Sequence, residues 1–405
     1  MLFAIAWKNI WRNKVRSLVV IIAVMLGMWA GAFILAYIYG MIDQRLQDAI
    51  GSEVSHLQIH HPEYEKDNDP KYFITNSGEI IHDINNDPAV KDISGRVLAF
   101  GMVASPGKSF GGKFIGIDPA SEDSVTQLSH NVTEGEYLSP EDKNKVIIGK
   151  KLAEKLKVKL RSKIVLTFQD IDGNIVAGAF RIIGIFQSYN STLEESNLYV
   201  NQKDLSQLQN TNDNVHEIAI LLKDADNVPL FQEKLTSKYP DLLTQGWKEL
   251  APELGFMIDS LDQYMIIFFV IILLALSFGI VNTMLMAVLE RVREIGMLMA
   301  IGMNKWKLFG MISLETIFMV MIAAPLGLLF AFITIEYLGT NGLDMSGIYK
   351  EGYSAFGFKS VIYPQLETRY YFNIMILVAA TAVLASIYPA ITALRLDPVK
   401  AIRKI

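Results

Sequence analysis

The chain has 405 residues, of which 51% are hydrophobic, and it carries a formal net charge of −5 and no cysteine. Its mean hydropathy of +0.28 is too high for an ordinary water-soluble protein, and without cysteine it can form no disulfide, iron–sulfur cluster or thiol nucleophile. Four stretches with at most one ionisable residue are long enough to cross a hydrocarbon core of ~30 Å. We therefore predict four membrane-spanning helices, at residues 17–42, 263–289, 308–335 and 370–394.

Residues 1–16 precede the first span and combine tryptophan with cationic side chains. Trp7 and Trp11 are about one helical turn apart, and a neighbouring face carries Lys8, Arg12 and Arg16. This pattern predicts an amphipathic helix in the membrane interface, although a simple charged flank to the first span would have the same composition.

Residues 43–262 form a long acidic segment with 22 Lys and Arg against 34 Asp and Glu, whereas the rest of the chain has 15 against 8. Alternating apolar residues predict strands, and apolar residues at helical spacing predict helices. The predicted strands are 53–60, 96–103, 113–117, 163–168, 179–186 and 216–222, and the predicted helices are 78–85, 149–158, 202–209 and 228–239. We expect an α/β domain with one lobe at about 50–106 and 215–256 and a second lobe inserted at about 107–214.

Three motifs in this domain could suggest chemistry, but their spacing argues against it. Gly101–Ser109 has five residues between its glycines rather than four, which favours a turn over a phosphate loop. A strand would place His56 and His60 ~13 Å apart, too far for one metal ion. The basic run at 143–163 lacks interleaved aromatic residues and favours a solvated helix face over nucleic-acid binding, with anionic lipid headgroups as an alternative contact. We predict no catalytic residue and no metal site.

Lysine and arginine cluster in three short segments, at 1–16, 290–307 and 395–405. With four spans, these segments lie on one face of the membrane, which we call the basic side. Because short loops rich in Lys and Arg stay in the cytoplasm, both chain ends are predicted to be cytoplasmic. The 43–262 domain and the loop at 336–369 are then predicted on the opposite side.

Residues 290–307 join the second and third spans and are too short for a domain. Their charges are unlikely all to pair with one another, and apolar residues follow at helical spacing. We predict a short helix that docks on a partner protein and ends at Gly302, with a solvated turn as the alternative. The residues expected to act in docking are Glu290, Arg291, Arg293, Glu294, Ile295, Leu298 and Gly302, and Ile301 extends their apolar stripe.

Glu315 is the one ionisable residue within the predicted spans. It lies eight residues beyond Lys307, which corresponds to about 12 Å along a helix. A carboxylate at such a depth is costly unless it is paired, so we predict a tether between helices, with Arg16 or Arg395 as partner. Protonation, or extension of the side chain to the headgroups, is the alternative.

Three segments resemble signatures of one family, the FtsX/MacB superfamily of ABC transporter permeases. They are "AWKNIWRNKVRSLVVIIAVMLG" near the start, "AVLERVREIGMLMAIGMNK" between spans two and three, and "SIYPAITALRLDPVKAIR" near the end. The resemblance implies four transmembrane helices and a MacB-like periplasmic core domain between the first two. It also implies that 290–307 is a coupling helix that docks in a groove of a separate ATPase.

Four shorter segments resemble the lipoprotein-releasing permeases of the LolC/LolE type: "SHLQIHHPEY", "GKFIGIDPASE", "IIGKKLAEKLKV" and "FRIIGIFQS". That resemblance implies ATP-driven extraction of lipoproteins from the inner membrane and transfer to a periplasmic carrier by mechanotransmission. It implies a lipid path at the first two spans, for which we select Gly27, Met28, Gly31, Phe269 and Ser277. Two other activities remain open: efflux or peptide export with a periplasmic adaptor, as in MacB, and regulation of a cell-wall hydrolase, as in FtsX.

The expected partners follow from the same resemblance. They are a cytoplasmic ATPase that binds the ATP and magnesium, a second permease copy or paralogue, lipidated cargo, a periplasmic carrier or adaptor, and membrane lipid, but no nucleic acid. The chain itself is expected to be a non-catalytic subunit without a cofactor. Its expected location is the bacterial inner membrane.

Overall fold

The computed structural model of the chain describes residues 2–12, 14–188, 190–347 and 358–395. The chain divides into two compact units. The membrane unit contains Met1–Ile42, Asp259–Asp344 and Val361–Ile405, and the α/β domain contains Asp43–Ile258 and Met345–Ser360.

The helices are numbered in chain order. The first eight are α1 (Leu2–Arg12), α2 (Lys14–Ala49), α3 (Tyr64–Asp67), α4 (Ser77–Asn85), α5 (Pro119–Thr126), α6 (Lys150–Leu156), α7 (Ser191–Ser196) and α8 (Gln202–Gln209). The others are α9 (Val228–Lys238), α10 (Trp247–Leu250), α11 (Pro252–Asp259), α12 (Leu261–Glu290), α13 (Val292–Ala300), α14 (Lys305–Asn341) and α15 (Thr368–Leu394). A π-helical turn, Ile50–Val54, follows α2.

Among the described residues, α2, α12, α14 and α15 are long and apolar enough to cross a membrane. They contain the four predicted spans and extend beyond each of them, because the flanking polar residues continue the helix. In the N-terminal segment, α1 ends at Arg12 and the helix of the first span begins at Lys14. Within α1, Ala6 and Ile10 are buried while Lys8 and Arg12 are exposed, so the helix is amphipathic.

Small residues and hydroxyl groups hold the spans together. A Cβ on Gly327 of α14 would lie 2.8 Å from the Met25 oxygen of α2, so only glycine permits this approach. Trp29 Nε1 donates to Thr334 Oγ1 at 3.1 Å. In the same way, Ser386 Oγ of α15 donates to Ser313 Oγ of α14 at 3.1 Å.

The strands of the α/β domain form one sheet. They are β1 (Leu57–His60), β2 (Val90–Ala104), β3 (Ser109–Ile117), β4 (Val132–Gly135), β5 (Lys145–Gly149), β6 (Lys163–Gln169), β7 (Ile175–Phe186), β8 (Asn197–Asn201), β9 (Glu217–Leu222) and β10 (Leu243–Gly246). The order is β10-β1-β9-β2-β3-β8-β5-β7-β4, and β6 pairs with both β2 and β7. Only the pairs β3–β8 and β5–β7 are parallel among the described strands.

The lobe boundary expected near residue 106 falls inside the hairpin of β2 and β3. These strands pair without interruption from Arg96 opposite Ile117 to Ala104 opposite Ser109. The sheet therefore continues across the two expected lobes, and no break separates them there. The turn of this hairpin occupies the glycine-containing motif, with Ser105 N donating to the Lys108 oxygen at 2.8 Å.

One predicted strand, 53–60, begins later than expected. Ile50–Val54 is π-helical, Ser55 has a φ of 59°, and the strand starts only at Leu57. His56 lies before the strand rather than in it, and its Nδ1 accepts a hydrogen bond from Leu222 N at 2.9 Å.

A buried ion cluster lies in the interior of the sheet, on β1, β2, β9 and α5. Arg96 contacts both oxygens of Glu122, at 2.9 Å through Nε and 2.8 Å through Nη2, and Glu217 at 2.5 Å through Nη1. Glu217 also lies 3.2 Å from His60 Nε2. Burial raises the pKa of Glu217, but Arg96 and the hydrogen bond with His60 lower it by more. Arg96 thus binds two buried carboxylates, those of Glu122 and Glu217, through all three of its guanidinium nitrogens.

Candidate functional site

The turn between α12 and α14 lies at the basic side of the membrane unit. The backbone leaves α12 at Arg291, with φ −103° and ψ 17°, and α13 runs from Val292 to Ala300. Gly302 has a φ of +94°, a conformation that favours glycine. Met303 N donates to the Leu298 oxygen at 3.0 Å and Gly302 N to the Met299 oxygen at 3.1 Å, the pair of bonds of a Schellman motif. Gly302 therefore ends α13, as the sequence predicts.

The start of α14 is fixed separately. Asn304 has an extended backbone, and its Oδ1 accepts a hydrogen bond from Trp306 N at 2.9 Å. A side-chain cap of this kind contributes about 1 kcal/mol to a helix start. Together, Gly302 and Asn304 define a corner between two helices.

A buried polar brace, formed by Asn9, Arg291 and Glu315, connects this corner to α1. Arg291 Nη1 lies 3.3 Å from both carboxylate oxygens of Glu315. Arg291 Nη2 donates to the backbone oxygen of Asn9 at 3.1 Å, and the side-chain Nδ2 of Asn9 donates to Glu315 Oε1. The side chains of Arg291 and Glu315 are only 12% and 7% exposed. The brace therefore links the end of α12, the interior of α14 and the N-terminal helix.

This geometry corrects one expectation and extends another. Arg291 was expected to face a partner protein, but its guanidinium is turned inward onto Glu315. Glu315 contacts Arg291 and Asn9 and so connects helices, and Arg395 is exposed. The side chain of Arg16, the other expected partner, lies outside the described part of the chain, as does the tail beyond Arg395.

The docking face of α13 also differs from the expected stripe. Ile295 is 4% exposed and is buried within the chain, and Leu298 is half-buried. The exposed apolar side chains are instead Met297 at 50%, Ile301 at 85% and, across the corner, Trp306 at 77%. We call these three residues and the exposed Arg293 the corner face. Glu290 is exposed as well, while Glu294 forms an ion pair with Arg12 of α1.

A cavity of about 430 Å³, open to the surface, adjoins the corner face between α1, α12, α13 and α14. Its walls are largely apolar and include Met297 and Ile301 of the corner face. The brace residues Asn9, Arg291 and Glu315 also line it, so the ion pair borders an open space.

A second opening, which we call the groove, lies between α2 and α12. It has a volume of about 320 Å³, and its lining includes Gly27, Ala30, Gly31, Ile272, Ala275 and Leu276. A Cβ on Gly27 would lie 2.7 Å from Leu276 Cδ2, and one on Gly31 would lie 2.8 Å from Ile272 Cδ1. The two glycines thus permit close approach of α2 and α12, and no charged residue lines the groove among the described residues.

Met28, Phe269 and Ser277 do not line the groove as described. Met28 is 1% exposed and lies against Gly327 of α14, on the other face of α2. Phe269 is 8% exposed and lines a small void with Met28 and Val378. Helical position alone could not separate these faces, because every residue of α2 around them is apolar or small. Gly27 and Gly31 are the selected residues that the structure brings to the groove.

Comparison with known families decides the identity. The family described as MacB-like periplasmic core domain matches residues 17–238, more than half of the chain, and the family described as FtsX-like permease C-terminal matches residues 266–398. The chain belongs to the FtsX/MacB family of ABC transporter permeases. The predicted fold class is confirmed: four membrane helices, with a MacB-like α/β domain between the first and second.

Two relatives are similar to the chain. The permease is 29% identical over 205 residues to the lipoprotein-releasing system transmembrane protein LolC of Buchnera aphidicola, covering 49% of this chain and 50% of that protein. It is 20% identical over 283 residues to an uncharacterized ABC transporter permease of Methanocaldococcus jannaschii, covering 68% and 66%. The permease thus spans about half the length of the LolC relative.

Two solved domains resemble the α/β domain. The periplasmic region of MacB from Actinobacillus actinomycetemcomitans has a TM-score of 0.37 at 12% identity, covering 52% of this chain and 98% of that one. The extracellular domain of the noncanonic ABC-type transporter YknZ from Gram-positive bacteria has a TM-score of 0.35 at 18% identity, covering 47% and 99%.

Sequence reasoning missed two participants in the site. Asn9 and Arg12 both lie on α1 and contact residues about 300 positions away, Glu315 and Glu294. The signal for Arg12 was the cationic face of α1, which predicted a position in the membrane interface, whereas Asn9 lies off that face and had no signal. No group of three or more His, Cys, Asp or Glu that could hold a metal ion occurs within the described ranges.

Proposed function

We propose that this permease is the membrane subunit of a transporter that extracts lipoproteins from the bacterial inner membrane, using ATP hydrolysed by a separate cytoplasmic ATPase. The observation that carries the proposal is the corner face: exposed Met297, Ile301 and Trp306 on a corner that is braced internally to α1 and α14. Exposed aromatic and aliphatic side chains beside a cation are typical of an interface centre.

The internal contacts explain how motion of a docked ATPase would be transmitted. The Schellman motif fixes the end of α13, and the brace connects Arg291, at the end of α12, to α14 and α1. A displacement of α13 therefore acts on three helices together. The chain needs to contribute no catalytic group to this process, and the basic side is the side on which the ATPase would dock.

The groove supports a lipidated cargo. It lies between the first two spans, and its lining is made of small and aliphatic residues with Thr283 as its one polar side chain among the described residues. Acyl chains require such a surface, whereas a hydrophilic export substrate would require polar lining. The similarity to a relative named for lipoprotein release supports the same choice.

The docking part of the proposal is tested with Ile301→Asp. A charge at a residue 85% exposed should change the free energy of unfolding by no more than about 0.5 kcal/mol. If Ile301 is central to the interface, binding of the co-purified ABC ATPase should weaken at least about tenfold. The matched control is Ile175→Asp, at a residue 77% exposed in the α/β domain. Equal ATPase binding by both variants and the parent would refute docking at the corner.

The cargo part is tested by site-specific photocrosslinking in reconstituted membranes with the ATPase present. A crosslinker at Ala275 in the groove should capture a triacylated lipopeptide, and capture should fall when ATP is added. The same crosslinker at Leu384, which is 66% exposed on α15, should capture bulk phospholipid only. Labelling of the lipopeptide at both positions alike, or at neither, would contradict the lipid path. Co-purification of an adaptor with normal lipoprotein sorting after depletion would favour export instead.

A further inference from the structure

A polar cavity of about 540 Å³ lies within the α/β domain, apart from the corner and the groove. It is bounded by the last turn of α2, the π-helical turn that follows, the end of α5 and the end of β9. Its polar lining includes Asp48, His56, Lys91, Asn131, Lys223 and Lys359. π-Helical turns are rare and occur frequently at functional sites.

The charge of the lining is positive. Three lysines, at 91, 223 and 359, line the cavity against one acidic residue, Asp48, which pairs with Lys359 at 2.6 Å. Lys223 donates to the Pro88 backbone oxygen at 2.8 Å. The side-chain amides of Asn131 and Asn190 add further donors. Such a lining favours an anion.

His56 supplies an independent observation. The residue is 7% exposed, and its Nδ1 accepts a hydrogen bond from Leu222 N at 2.9 Å. This bond assigns the tautomer, because a nitrogen that accepts carries no proton, so Nε2 is the N–H donor. Among the described residues, no protein group accepts the hydrogen of Nε2. A nine-tenths buried donor therefore lines the cavity without a protein partner.

The electrostatics keep His56 in this form. Burial lowers the pKa of His56, and the charge of Lys91 lowers it further, while the Leu222 bond and Asp224 act in the opposite direction. The ring is neutral at pH 7 and presents one N–H. An acceptor with negative charge would bind both this N–H and the nearby Lys91 ammonium.

The position of the cavity along α2 indicates which class of anion it would meet. Asp48 lies six residues beyond Ile42, the last residue of the predicted first span, which corresponds to about 9 Å along the helix. The headgroup layer on each side of a bilayer is about 5 to 8 Å thick. The first residues of α2 that line the cavity therefore lie at the point where this helix would leave the phosphate layer of the membrane.

We propose that this cavity binds a phosphate group, with His56 Nε2–H and Lys91 as principal donors. The phosphate comes either from a lipid headgroup or from solution, and the chemistry of recognition is the same for both. This site goes beyond the proposed transport function, because it needs neither the ATPase nor the lipoprotein.

The experiment titrates inorganic phosphate into the full chain in a non-ionic, phosphate-free detergent and follows binding by isothermal calorimetry. His56→Asn retains an acceptor for Leu222 N but removes the Nε2–H donor, so its affinity should fall about tenfold or more, because a hydrogen bond to a charged group is lost. Lys91→Gln removes an exposed charge and should weaken binding several-fold. The matched control, Lys163→Gln, changes an exposed lysine elsewhere in the domain and should bind like the parent.

The source of the phosphate is separated in nanodiscs. If the site holds a headgroup, discs of phosphatidylglycerol should compete with inorganic phosphate, and discs of a phosphate-free diglycosyl diacylglycerol should not. Equal affinity in both discs would assign the site to free phosphate. Circular dichroism verifies that each variant is folded. No binding by the parent, or unchanged affinity in folded His56→Asn and Lys91→Gln, would overturn the proposal.

Discussion

Among the described residues, one buried arginine–carboxylate cluster lies in each unit of the permease, and the geometries of the two differ. In the α/β domain, Arg96 contacts both oxygens of Glu122 with two different nitrogens, at 2.8 and 2.9 Å, and uses its third for Glu217. In the membrane unit, Arg291 reaches both oxygens of Glu315 from a single nitrogen at 3.3 Å. The second cluster also borders a cavity of about 430 Å³.

The difference separates a static cluster from one that can rearrange. Bidentate pairs with satisfied partners are strong and directional, and the first cluster lies in a close-packed sheet. The contact between Arg291 Nη1 and Glu315 is longer and uses a single nitrogen, and it borders an open cavity. We infer that the first cluster stabilises the fold and the second allows the corner to move while it stays connected.

The largest expected effect on stability comes from removing the arginine of the cluster in the sheet. Arg96→Ala removes the guanidinium that two buried carboxylates share and should lower the free energy of unfolding of the α/β domain by about 3 to 5 kcal/mol. Urea unfolding of the full chain, followed by pulsed hydrogen exchange across β9, measures it. Arg181→Ala, an exposed arginine on β7, is the control and should cost less than about 0.5 kcal/mol. Equal costs would mean that the cluster is not a stabilising element.

A smaller effect is expected from acid. Because the pKa of Glu217 is lowered in the folded state, its contribution is present above the unfolded value of about 4.3 and is lost as the pH falls below it. Lowering the pH from 7 to 3 should remove about 2 kcal/mol through this residue. Glu217→Gln should be less stable at pH 7 and should lose correspondingly less on acidification. The free energy of unfolding is followed at each pH by hydrogen exchange in β9. An equal loss on acidification in the parent and in Glu217→Gln would contradict this assignment.

The smallest effect on stability, and the largest on coupling, is expected at Arg291. Arg291→Ala should cost about 1 to 2 kcal/mol, because it removes the hydrogen bonds to Glu315 and to the Asn9 backbone oxygen while water can reach the site from the adjoining cavity. It should nevertheless uncouple ATP hydrolysis from transport while the corner face still binds the ATPase. Hydrolysis and lipopeptide release measured on the same membranes test this, with Lys8→Ala, which changes an exposed cation on α1, as the control. Retained coupling in Arg291→Ala would remove the brace from the transmission path.

The sequence predicted local elements well where a local signal existed. The helix at 202–209 has the observed bounds of α8, because Asn201 caps it and apolar residues recur at helical spacing. β8, directly before it, was missed, since Asn197–Asn201 is buried throughout and shows no alternation. The π-helical turn at Ile50–Val54 was missed because its sequence is equally compatible with the start of a strand.

The site was predicted in outline, but its faces were not. Periodicity identified an apolar stripe on α13, yet it could not say whether the stripe contacts the chain itself or a partner, and Ile295 contacts the chain. In the same way, a buried carboxylate requires a polar partner, but the sequence does not indicate that this partner is Asn9, 306 positions away. Such contacts depend on how the helices pack, which a single sequence does not encode locally.

The length of α13 has a consequence for insertions and deletions. The helix has nine residues between the backbone break at Arg291 and the left-handed Gly302. Each residue turns an α-helix by about 100°. Removing one residue would therefore rotate the exposed Met297 side away from its present direction while leaving composition, charge and hydropathy almost unchanged. The number of residues in α13, more than their types, thus sets the direction in which the corner face points.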